Sequence, residues 1–169
     1  MSTPDTPGPD LPLHPTAPAP AAAGVEAHAG SGTSAPDLLG VHHLRLPVIE
    51  VERSRDWYVQ VLGFETILDY EEEDHVAGVL LRHASGIVVG LHEIPGEASM
   101  LAGFTIAALA VGNRADLDKW AAWLDEIGMA HGPVTDGHLG WFITVTDPDG
   151  IVIELHTLDQ PSVGDARRP

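Results

Sequence analysis

A chain of 169 residues in which 44% are apolar is long enough for one domain, or for two small modules that share a core. Its formal net charge of −17 makes nucleic acid and anionic membrane surfaces poor partners. It has no cysteine, which excludes disulfides, thiolate ligands and a cysteine nucleophile, so any metal site must be built from histidine and carboxylate.

Residues 1–37 hold eight of the 14 prolines and eight alanines, with no aromatic residue and no periodicity. Such a stretch cannot bury enough surface to offset its ordering entropy, and a disordered tail is expected. It lacks the basic start and sustained apolar run of a secretory signal, and no segment reaches the roughly 20 apolar residues of a membrane span. A cytoplasmic location is expected.

The folded domain is expected over residues 38–158, where 19 acids stand against 6 bases. A first strand is predicted over Val41–Val48, with Leu44, Leu46 and Val48 on one face and His43, Arg45 and Pro47 on the other. Pro47 cannot donate to a ladder and belongs near a strand end. The spacing of Trp57, Tyr58, Val61 and Leu62 predicts a helix over Arg53–Leu62, ended by Gly63. A strand over Phe64–Tyr70, a solvated acidic tip at Glu71–Asp74, and strands over Val76–Arg82 and Ile87–His92 follow. Pro95–Leu101 reads as a linker. Beyond it come a strand over Phe104–Val111 and a helix capped by Asn113, with Leu117, Trp120, Ala121, Leu124 and Ile127 as its buried stripe and Gly128 as its stop. Strands near His131–Val134, Gly140–Thr146 and Ile151–His156 complete the domain, and residues 159–169 read as a flexible tail.

The last strand leaves a turn, Asp147-Pro148-Asp149-Gly150, in which proline presets one φ and glycine accepts a positive one. Alternation then puts Ile151, Ile153 and Leu155 on one face and Val152, Glu154 and His156 on the other. The stretch has an earlier echo. Gly86-Ile87-Val88-Val89-Gly90-Leu91-His92 repeats Gly150-Ile151-Val152-Ile153-Glu154-Leu155-His156 with differences only at Val89/Ile153 and Gly90/Glu154. Val41–Val48 corresponds to Phe104–Val111, and Leu62-Gly63-Phe64 to Ile127-Gly128-Met129. The chain therefore contains one βαβββ unit twice, module 1 over residues 38–94 and module 2 over residues 103–158. An α+β fold is expected, the two modules forming an open, cup-shaped mixed sheet with a helix on the far face of each.

Val41-His42-His43-Leu44-Arg45-Leu46, the helix ending Trp57-Tyr58-Val59-Gln60-Val61-Leu62-Gly63-Phe64, and the turn leading to Glu154 resemble the vicinal oxygen chelate superfamily, which includes glyoxalase I, the bleomycin and fosfomycin resistance proteins and extradiol dioxygenases. The resemblance implies a divalent metal (Fe, Mn, Zn or Ni) held by a His from the first strand of each module and a Glu from the last strand. Carried over, these fall on His43 and Glu154, but the second His falls on Ile106, which cannot ligate. Gly90 replaces the acid of a four-ligand arrangement. His92, His156 or His138 is left to complete such a site, with Arg45, Ile106, Ala108, His138 and His156 lining a substrate pocket. Two functions follow. One is a metal-assisted lyase, isomerase or dioxygenase acting on vicinal oxygens, with Glu154 and His43 catalytic. The other is metal-free sequestration of a ligand, as in bleomycin resistance. The reading leans to the first, as a homodimer acting on a small molecule.

Deleting residues 1–37 is expected to leave the melting temperature nearly unchanged. A loss of several degrees, on the order of 1–2 kcal/mol, would show that the tail docks.

Overall fold

Helix α1 (Val51–Leu62) forms where the sequence places an apolar stripe at helical spacing, and Val51, Ser54, Trp57, Tyr58, Val61 and Leu62 are all buried. Gly63 ends it in the left-handed region at φ 72°, its N–H returning to the carbonyls of the last turn. The computed structural model describes residues 35, 37, 39–72 and 75–158. Apart from residues 35 and 37, the expected tails lie outside the described residues.

Around α1 the order is β1 (Leu44–Val48), β2 (Phe64–Glu72), β3 (His75–His83) and β4 (Val88–Glu93). Then come α2 (Pro95–Leu101), β5 (Thr105–Val111), α3 (Arg114–Glu126), β6 (Thr135–Gly137), β7 (Gly140–Thr146) and β8 (Val152–Thr157). The strands make two four-stranded sheets in the same order, β1-β4-β3-β2 and β5-β8-β7-β6. In each, the first and last strands of the module run parallel and the other pairs antiparallel, giving an α+β fold of two βαβββ units with open sheets. Leu46, Val48, Val79, Leu81, Val89 and Leu91 of module 1 and Val111, Leu117, Leu124, Ile143, Ile153 and Leu155 of module 2 form one core with α1 and α3. Asn113 caps α3 by accepting from the N–H groups of Ala115 and Asp116.

Four expectations change. Residues 41–43 precede β1 rather than belonging to it. The expected linker is a helix, since Pro95 sits at its first turn, where no N–H is needed, and Ala98 is fully buried. The expected strand near His131–Val134 reduces to one bridge, His131 to Val145, because Pro133 has no N–H to donate, and pairing resumes at β6. Ile127 is exposed, because α3 stops one residue earlier and takes it out of the buried stripe.

The modules are tied together at the Asp147–Gly150 turn. Asp147 Oδ1 accepts from the N–H groups of Asp149 and Ile151 at 2.9 Å each, and Gly150 takes φ 84°. Asp149, buried, reaches to the start of α1. It accepts from the Ile49 N–H at 3.0 Å and the Ser54 hydroxyl at 3.2 Å, and pairs with Arg53. The Tyr58 hydroxyl faces Asp147 Oδ2 at 3.5 Å. On the other side of the turn, the Gly103 N–H donates to the Gly150 carbonyl and the Val152 N–H to the Phe104 carbonyl. Burial raises the Asp147 carboxyl above its ordinary range, against the lowering effect of its two backbone donors.

Asp149→Asn removes the charge on which these donors converge and is expected to cost about 2–4 kcal/mol. The readout is a lower urea midpoint at unchanged slope, with exposed Glu65→Gln as control; equal midpoints would refute the tie. Burial first, then the Asp147 charge, push the Tyr58 phenol well above its ordinary value. The native state therefore keeps a proton that the unfolded chain releases near pH 10. Stability from this source is intact below about pH 10 and falls as the pH rises further, until the folded phenol also ionises. Tyr58→Phe is expected to flatten that alkaline decline.

Candidate ligand-binding site

Opposite the helices, each sheet presents an open face whose residues are fixed by strand alternation and register. In β8, Ile153, Leu155 and Thr157 are buried while Val152, Glu154 and His156 are half-buried on the other side. Glu154 lies between Ala108 of β5 and Thr144 of β7, and His156 between Ala110 and Phe142. The Glu154 carboxylate and His156 Nε2 are 3.2 Å apart, and the Phe142 ring stacks on His156 with centroids 5.0 Å apart and planes 17° from parallel.

In module 1 the register sets Arg45 beside Gly90, Gly90 beside Leu80, and His92 between Pro47 and Gly78. Arg45 Nη2 lies 3.3 Å from His92 Nδ1. A guanidinium only donates, so Nδ1 accepts and the ring proton of a neutral imidazole sits on Nε2. Burial, followed by the nearby Arg45 cation and His43, holds His92 below its ordinary pKa, with Glu72 the weaker opposing influence. Tyr70 stacks on His92 at 5.9 Å across Gly78. Only glycine permits this, since a Cβ there would lie 2.9 Å from the Leu91 carbonyl oxygen and 3.1 Å from His92 Nδ1. Gly90 is different: a Cβ would meet His92 Nε2 at 3.5 Å, Leu80 at 3.6 Å and His43 Cδ2 at 3.8 Å, all ordinary contacts. His92 and His43 thus converge over the place where module 1 lacks a side chain.

The remaining sequence candidates do not gather with Glu154 into one cluster. His43 is exposed ahead of β1, its Nδ1 2.8 Å from that of His42. Ile106, expected beside Ala108 on the open face, sits at a register shift: Thr105 pairs with Val152 and Ala107 with Ile153, leaving Ile106 as the extra residue, packed against the core. The open-face residues of β5 are thereby Thr105, Ala108 and Ala110. His138 is exposed at the tip joining β6 and β7. Among the described residues no three His, Asp or Glu side chains gather closely enough to hold a metal ion. Sequence reading missed Tyr70 and Phe142. Phe142 was within reach, because pairing the last two strands antiparallel puts it opposite His156.

Two cavities follow the seam between the modules. One of about 420 Å³ is lined by His42, His43, Gly86, Val88, Ala108 and Ala110, where the free edges of β1 and β5 approach. The larger, about 590 Å³, lies against the helices, with Phe64, Leu109, Val111, Trp120 and Trp123 among its walls. It contains none of Arg45, His92 or Glu154, and is the seam left where the apolar surfaces of the two modules diverge.

A sequence model of the Glyoxalase/Bleomycin resistance protein/Dioxygenase superfamily matches residues 40–155. No curated protein matches the chain. Among solved structures, a glyoxylase/bleomycin resistance protein/dioxygenase domain from Frankia sp. EAN1pec is similar at 22% identity, over 72% of this chain and 93% of that one, with a TM-score of 0.58. TnmS3, an antibiotic binding protein from Streptomyces sp. CB03234, is similar at 24% identity, over 72% and 98%, with a TM-score of 0.55. A mutant of the fosfomycin resistance protein FosX from Listeria monocytogenes, complexed with Mn(II) and 1S,2S-dihydroxypropylphosphonic acid, is similar at 16% identity, over 78% and 100%, with a TM-score of 0.60. At these identities the likeness to solved structures is one of fold.

Proposed function

From the premise that the chain belongs to the Glyoxalase/Bleomycin resistance protein/Dioxygenase superfamily, we propose that it holds a small organic molecule on the open sheet faces without a metal ion, as a binding or sequestration protein. The observation that carries this reading is the donor set. A divalent ion that keeps open positions for substrate takes three or more protein ligands. Here Glu154 has Ala108 as its β5 neighbour, Ile106 is turned into the core, and no third donor gathers among the described residues. The residues do not fit the metal that the family resemblance implied, and no reaction step is routed through one. What the faces do offer suits a ligand: exposed Leu68 and Tyr70, Phe142 and small Ala108 and Ala110, with a few polar groups to orient it. TnmS3, named as an antibiotic binding protein, lends this reading support within the same fold.

A homodimer is part of the proposal, because β2 and β6, at the sheet edges away from the seam, pair on one side only and offer edges for a second copy to cover.

The test is a thermal-shift and calorimetric screen of aromatic natural-product-like compounds, run in chelator and again with Mn²⁺ or Zn²⁺. Ligands are expected to bind equally in both. Mn²⁺ or Zn²⁺ alone is expected to bind no tighter than to Glu154→Gln. Ile106→His is expected to gain no metal affinity, because position 106 points into the core. Stoichiometric metal binding lost in Glu154→Gln and His43→Ala would overturn the proposal and restore the metal-assisted enzyme.

A further inference from the structure

The two modules repeat one unit, yet at their corresponding open-face positions they carry opposite charge. Module 2 pairs Ala108 with Glu154; module 1 pairs Arg45 with Gly90. The acid is deleted in the module that gains the cation. In a chain of net charge −17 a cation is easily neutralised, and four of the six bases in residues 38–158 are: Arg53, Arg55, Arg114 and Lys119 each pair with an aspartate. Arg45 does not. Among the described residues no carboxylate oxygen lies within 4.0 Å of it, and its one side-chain partner is the His92 imidazole.

That partnership arranges donors. One guanidinium N–H is spent on His92 Nδ1, which fixes the ring proton on Nε2, and Nε2 lies 3.5 Å from the point where a Gly90 Cβ would stand. Tyr70 stacked on the ring holds its orientation. The remaining guanidinium N–H groups thus lie at the Nδ1 edge of the ring, on the strand beside Gly90, while the His92 Nε2–H faces the position above Gly90, where Leu80 and His43 are the other neighbours. A guanidinium fork with an adjacent imidazole donor matches an oxyanion in geometry and charge.

Resting on the metal-free binding reading, we propose that Arg45 and His92 form an oxyanion subsite over Gly90, so that the natural ligand carries a carboxylate or phosphonate-type group. Glu154, at the corresponding place in module 2, repels a second such group, so the ligand carries its anion at one end only.

The full chain, labelled with ¹⁵N, is titrated separately with acetate and with methylphosphonate while the Arg45 Nε and His92 ring signals are followed. Methanol serves as the neutral control. Saturable shifts at both residues are expected with one or both anions, and the stronger arm identifies the group. Arg45→Gln should weaken binding at least about tenfold. Gly90→Glu, which installs the acid found in module 2, should abolish it. Gly90→Ala meets only ordinary contacts, so it should fold normally and bind more weakly. Wild type without saturable shifts, or Arg45→Gln binding like wild type, overturns the subsite. A screened ligand that binds wild type and Arg45→Gln equally in chelator removes this inference while leaving metal-free binding in place.

Discussion

A single buried carboxylate, Asp149, meets the N-terminal end of α1 from a turn 95 to 100 residues further along the chain. Placed there, it satisfies the Ile49 N–H and the Ser54 hydroxyl, and a negative charge at a helix start is favoured by the helix dipole. The same turn is held from inside by Asp147 and from behind by the strands' own hydrogen bonds to Phe104 and Gly103. Because β8 begins three residues after Asp149, the angle and register with which it leaves the turn are inherited from this contact with module 1. Glu154 and His156 depend on it, although neither touches it.

A duplicated unit offers a built-in comparison, since equivalent positions share a backbone setting and differ only in side chain. Hydrophobic positions are kept: Val89 and Ile153, Leu91 and Leu155 all pack in the core. The open face diverges, with Arg45 and Gly90 on one side and Ala108 and Glu154 on the other. Core positions are constrained by packing density, whereas an open face is free to change with whatever it binds. That contrast supports the proposed site on the two open faces over one in the larger cavity beside the helices.

Much of this was legible in the chain itself. Alternation in Ile151–His156, the helical stripe of Trp57, Tyr58, Val61 and Leu62, and the matched sequences ending at His92 and His156 determined two βαβββ units and the residues that share a face with Glu154. These are local properties: side-chain periodicity follows from backbone geometry and needs no partner. What only the tertiary structure decided depends on neighbours. An extra residue at Ile106 shifts β5 by one position against β8, which no alternation rule anticipates, and turns the position expected to line the site into the core. Pro95 and Gly96 look like breakers until Ala98 finds a buried place against which a short helix can form. Arg45 and His92 are 47 residues apart, and only the parallel pairing of β1 with β4 sets the guanidinium against the imidazole above an empty glycine. Periodicity is written in sequence, but register and bulges are set by which strand lies alongside, and side-chain chemistry at a site follows register.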